Sequence, residues 1–182
     1  MRTLMYLFAS LTLVAVACNE NSKGENELSN GVEPVISTDK AGEVGEVDKE
    51  MIAFFEKYLP PISGSFSSEC FFVEDRENRC LMINSVDELK AIMYSPVELP
   101  EIDFGKYTLV MGQYWVSSGG FKLVSQGIEI KSGEIILNLV TDYEFDVVDA
   151  MISRLYYWGI YPKLPQNSIT ITVHETYRGE KT

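Results

Sequence analysis

The chain has 182 residues, of which 46% are hydrophobic, 12% aromatic and 23% charged, and its formal charge is -12. That composition excludes wholesale disorder and a polytopic membrane protein. The acidic balance excludes tracking along a nucleic-acid backbone, where affinity comes from Lys and Arg neutralising phosphates.

From the N-terminus, Arg2 precedes an apolar run from Leu4 to Ala17 that only Ser10 and Thr12 interrupt. Crossing a bilayer as a helix takes roughly 20 residues, and this run is shorter and leads into acidic, polar chain. Residues 1–17 therefore read as a signal peptide. The run closes on Ala15-Val16-Ala17-Cys18, which resembles the lipobox of bacterial lipoproteins, although Ala15 stands where that motif usually has Leu. Cleavage by ordinary signal peptidase near the same point is the alternative. The resemblance implies that Cys18 is the lipidated first residue of the mature protein, anchored in the outer membrane of the cell envelope, with the periplasmic or surface face left open.

Between residues 19 and 50, nine acids stand against Lys23, Lys40 and Lys49. Such a stretch cannot bury enough apolar surface to offset its ordering entropy, and its like charges keep it extended. Residues 18–47 are thus expected to form an acidic tether. Its start, Asn19-Glu20-Asn21-Ser22, loosely resembles surface-export signals of lipoproteins in Bacteroidetes-like bacteria.

The folded domain is placed at residues 48–178. Asp48 is positioned to cap a helix with Met51, Ile52, Phe55 and Leu59 on one face, stopped by Pro60-Pro61. Next, Cys70-Phe71-Phe72-Val73 and Cys80-Leu81-Met82-Ile83 read as strands around a polar connection, a hairpin that would set Cys70 and Cys80 opposite each other. Outside the cytoplasm the expected outcome is a disulfide, stabilising by roughly 2–3 kcal/mol in the chain-entropy model. A reactive thiol and a zinc site are the competing readings; zinc takes about four ligands, and His174 is the only histidine. Ser85-Val86-Asp87-Glu88 is a capping box opening a second helix to about Tyr94.

From Ile102 the apolar period becomes two. In 107–116, Leu109 and Met111 alternate with Val110, Gly112 and Tyr114, so both faces of this strand are expected to be covered. Phe121–Val124, Ile128–Lys131 and Glu134–Val140 continue the pattern, with a turn at Lys131-Ser132-Gly133. Ile169, Ile171 and Val173 alternate with Thr170, Thr172 and His174 in a terminal strand. Between them, Val147 to Leu155 has helical spacing, whereas Leu155 to Pro162 is aromatic and reads as extended chain or loop, so a short helix followed by an irregular aromatic stretch is expected. Strands in runs with helices set apart predict a single α+β domain: a largely antiparallel sheet with two or three short helices.

The stretch Ile102-Asp103-Phe104 to Gln113, followed by Ser117-Ser118-Gly119-Gly120-Phe121, resembles the C-terminal domain of the PrcB type, named for a protease-complex accessory protein. The likeness spans residues 101–175, with Gly119, Gly120 and Phe121 as its turn motif. It implies a non-catalytic envelope domain that binds or stabilises a protease partner.

Chemistry-bearing patterns are few. Nucleophilic catalysis wants a base beside the nucleophile, and His174 lies on the polar side of a terminal strand without a Gly-x-Ser-x-Gly elbow elsewhere. The glycine-rich turn lacks the Lys of a phosphate loop. Asp142, Glu144, Asp146 and Asp149 fail an EF-hand pattern, because Val147 and Ser153 stand where Gly and an acid are required. No catalytic residue, metal or cofactor is assigned. Tyr156, Tyr157, Trp158 and Tyr161, with Trp115, are the interaction candidates, since Tyr and Trp anchor interfaces and stack on sugars; covering the sheet from inside is the competing role. The expected function is a lipid-anchored, non-enzymatic envelope protein that binds another protein, a protease or protease complex. A carbohydrate-binding lipoprotein of a glycan-uptake system is the alternative.

Overall fold

The period-two stretches build the two sheets of a single α+β domain. The computed structural model describes residues 30–32, 34–35, 46–64, 68–72, 77–144, 152–165 and 168–178. In chain order the elements are β1 (Asn30–Val32), α1 (Glu46–Tyr58), β2 (Arg79–Ile83), α2 (Val86–Ala91), β3 (Tyr107–Val116), β4 (Phe121–Lys131), β5 (Glu134–Glu144), β6 (Ser153–Pro162) and β7 (Thr170–Arg178). One sheet has the order β1-β4-β5-β7 and the other β2-β3-β6. All pairs are antiparallel except β5 with β7. That exception follows from connectivity: β6 leaves for the other sheet, so β7 returns in the direction of β5.

Several expectations hold in detail. Ser85 caps α2, its Oγ accepting from the Glu88 N–H at 3.1 Å, while the Glu88 carboxylate accepts from the Asn84 N–H at 2.6 Å. Lys131 and Glu134 pair across a two-residue turn in which Ser132 (φ 52°) and Gly133 (φ 83°) are both left-handed, as hairpins matched to strand twist require. Phe121–Val124 and Ile128–Lys131 are one strand with a register shift between Leu123 and Ser125. The first helix begins at Glu46, which places Asp48 in its first turn rather than at its cap.

Three expectations are corrected. Residues 18–47 are not wholly tether: β1 pairs with β4, Pro34 is buried, and the Val35 N–H donates to the Ile160 carbonyl at 2.6 Å. Exposed backbone on β4 and β6 recruits this segment despite its composition. Residues 70–72 form no hairpin with 79–83; β2 pairs with β3, and Phe71 bridges to Met93. The aromatic stretch is not irregular but the regular strand β6, which also claims Leu155 from the expected helix. Residues 147–151 of that helix, the leader and Cys18 lie outside the described residues.

The sheet β2-β3-β6 divides the core. On its outer face Leu109, Met111, Tyr156, Trp158 and Ile160 pack with Phe55 of α1, Leu59 just after it, Leu89 of α2 and Phe71. On its inner face Val110, Tyr157 and Tyr161 meet Ile128, Leu137 and Leu139 of the other sheet. The two sheets join along β4 and β6. At one end residues 61–64 bond to both strands, Leu123 N–H to Pro61 O at 2.9 Å and Arg154 N–H to Gly64 O at 3.1 Å. Between the ends the buried Gln126 side chain donates from Nε2 to the Trp158 carbonyl.

Candidate functional site

Burial decides the fate of the aromatic candidates. Tyr156, Tyr157 and Tyr161 have no exposure and Trp158 has 1%, so none is an interface anchor in this fold. Alternation along β6 sends Tyr156 and Trp158 to the outer face and Tyr157 and Tyr161 to the inner one. Trp158 stacks on Phe55 at 4.7 Å, and the Tyr156 hydroxyl accepts the Ser68 N–H at 2.8 Å. The Tyr157 hydroxyl crosses β3 at Gly112 to donate to the Arg79 carbonyl at 2.6 Å. A Cβ at Gly112 would collide with both that carbonyl and the Tyr157 hydroxyl, so this glycine exists for close approach. Trp115 is half-buried, with the Arg154 guanidinium 4.8 Å from its ring centre; a cation already occupies one of its faces.

The cysteines are likewise separated. Both are free thiols. Cys70 belongs to the outer layer and Cys80 to the inner one, so β2-β3-β6 stands between them. The expected Cys70–Cys80 disulfide is absent because its hairpin is absent. Burial pushes the Cys80 thiol up to about 11 and raises Cys70 as well, which disfavours thiolate chemistry at both.

What the fold does assemble is an aromatic end to the inter-sheet core, at the glycine turn. Gly120 adopts a left-handed conformation at φ 90°, and Phe121 after it is buried. Its ring lies 4.9 Å from Tyr143 on β5 and 6.2 Å from Tyr177 on β7, and the two tyrosines meet edge-on at 5.9 Å. Ser118 Oγ and the Tyr143 hydroxyl share a hydrogen bond at 3.3 Å. Tyr177 is 45% exposed and donates to the exposed Glu175 carboxylate at 2.9 Å. The turn motif is thus brought together with Tyr143 and Tyr177, which the sequence reading had not singled out. Carrying the Ile171, Val173 alternation two steps further would have placed Tyr177 on the same face.

Elsewhere, a groove of about 570 Å³ opens between α2 and residues 97–104, lined by Leu89, Leu99, Ile102 and Phe104 with Lys90, Glu98 and Glu101. It gathers none of the sequence candidates. His174 is exposed on β7 opposite Val140. Asp142 accepts a hydrogen bond from Thr176 Oγ1 at 3.2 Å, and among the described residues no group of three or more His, Cys, Asp or Glu is placed to hold a metal. No family model, curated protein or solved structure matches the chain.

Proposed function

We propose that this chain is a lipid-anchored, non-enzymatic protein of the cell envelope, tethered to the outer membrane through Cys18, whose domain binds another protein at its Phe121–Tyr143–Tyr177 end. The observation that carries this reading is Tyr177. It is a large aromatic left 45% exposed on an edge strand, although Phe121 and Tyr143 are at hand to bury it. Tyrosines braced by a core and open to solvent on one side are common binding anchors, because a rigid ring loses little entropy on contact. The resemblance of residues 101–175 to the PrcB-type domain makes a protease or protease complex the partner to test first.

The test is affinity capture of the intact lipoprotein from its native envelope, with partner identification, run beside Tyr177→Ala and Cys18→Ser. Tyr177→Ala is expected to lose the partner while staying in the membrane fraction. Cys18→Ser is expected to leave the membrane and lack the mass of the acyl groups. Unchanged capture by Tyr177→Ala overturns the binding site; an unchanged mass and membrane fraction in Cys18→Ser overturns the anchor.

A further inference from the structure

Four strands end the sheets, β1, β2, β6 and β7, and the outer side of the ten-residue β6 is already bonded to Val35, Gly64 and the Gln126 side chain. Exposed edges are ready templates for another chain, and proteins blunt them with short strands, bulges or proline. Here β1 has three residues and β2 has five, whereas β7 has nine. β7 contains no proline, and its pairing with β5 runs without a register shift from Ile136↔Thr170 to Glu144↔Arg178. Among the described residues β5 is its only strand neighbour and no strand faces its other side. Such an edge carries a row of backbone donors and acceptors that extended polypeptide satisfies.

We infer that β7 is the docking strand: a segment of the partner protein pairs antiparallel with β7, carrying a basic residue opposite Glu175 and an aromatic or apolar residue opposite Tyr177. This rests on the protein-binding reading above and specifies its partner. Charge selects the occupant. A second copy of a chain with formal charge -12 brings like charge to the edge, whereas a basic segment is attracted to it. Antiparallel pairing is the more stable arrangement per residue. In that register the partner's side chains at alternate positions extend the sheet face on which Tyr177 and Glu175 already touch.

The probe is a synthetic nine-residue peptide alternating threonine with valine, phenylalanine and lysine, the phenylalanine two positions before the lysine. Titrated into the full domain and followed by amide NMR and hydrogen exchange, it is expected to protect alternate amides of β7. Methylating the peptide's backbone nitrogens at alternate positions is expected to weaken binding at least tenfold for one set and leave the other set unchanged. Tyr177→Ala is expected to weaken binding about tenfold. Equal sensitivity of both methylated sets, protection away from β7, or no binding overturns strand docking. If the peptide or a captured partner needs Tyr177 but ignores methylation, strand docking falls while the protein-binding site stands. Concentration-dependent dimerisation that protects β7 without peptide assigns the edge to a second copy and overturns the proposed occupant.

Discussion

The two faces of β2-β3-β6 are built from alternate residues of the same strands, yet they are closed by different physics. The outer face is an aromatic layer under two helices, where Trp158, Phe55, Phe71, Phe72 and Tyr156 meet in a chain of ring contacts of 4.7–6.5 Å. The inner face meets a second sheet, and there single groups are placed at close range: Tyr157 lies over Gly112 to reach the Arg79 carbonyl, and the Gln126 side chain of the other sheet donates to the Trp158 carbonyl. A face covered by helices is filled by bulk, whereas a face covered by another sheet is filled by fit. Both faces being covered is also why β6 has no polar alternation and why its aromatics are unavailable as binding anchors.

Removing bulk from the outer face should have the largest effect. Trp158→Ala is expected to cost about 3–5 kcal/mol, read as the drop in ΔG from denaturant unfolding; a loss below about 1 kcal/mol would mean that the ring is not the keystone of that layer. On the inner face the damaging change is an addition. Gly112→Ala, a single methyl, is expected to cost about 3 kcal/mol through overpacking against β2 and Tyr157, and Gly112→Ala combined with Tyr157→Phe should recover only part of it, since the Arg79 carbonyl remains in the way.

The third test uses pH to separate the faces. Because burial holds the Cys80 thiol protonated up to about 11 while an exposed thiol titrates near 9.0, its contribution is complete below pH 9 and is lost as pH rises toward 11, where the unfolded chain sheds a proton that the folded chain keeps. A loss on the order of 1–2 kcal/mol is expected over that window. Cys80→Ala should make the alkaline decline shallower; an identical slope would show that the thiol is solvated. Tyr177→Ala should have the smallest effect on stability, within about 0.5 kcal/mol as for other exposed positions, while abolishing partner capture. A large stability loss there would move Tyr177 from the binding surface into the core.

Legibility in the sequence followed the range of the interactions. The cap at Ser85, the turn at Ser132-Gly133 and the two-sided burial of β3 are local or periodic, and each was readable because a few adjacent residues carry the whole signal. The Cys70–Cys80 hairpin misled for the complementary reason: two strand-like segments with a polar connection satisfy the hairpin pattern, but β2 gains more by pairing with the long strand β3. Tyr143 and Tyr177 were missed as a pair because they are 34 positions apart and meet only through the parallel β5–β7 register.

By itself, then, the sequence determined the α+β class, the strand periodicities, the cap at Ser85, the turn at Ser132-Gly133 and the acidic charge, since these depend on neighbouring residues and totals. Tertiary structure alone decided which strands pair, that the thiols lie on opposite sides of a sheet, that the aromatic stretch is core, and that Phe121, Tyr143 and Tyr177 form one end of the molecule. Those outcomes rest on competition among distant segments for the same backbone hydrogen bonds and the same buried volume, and no local pattern records which segment wins.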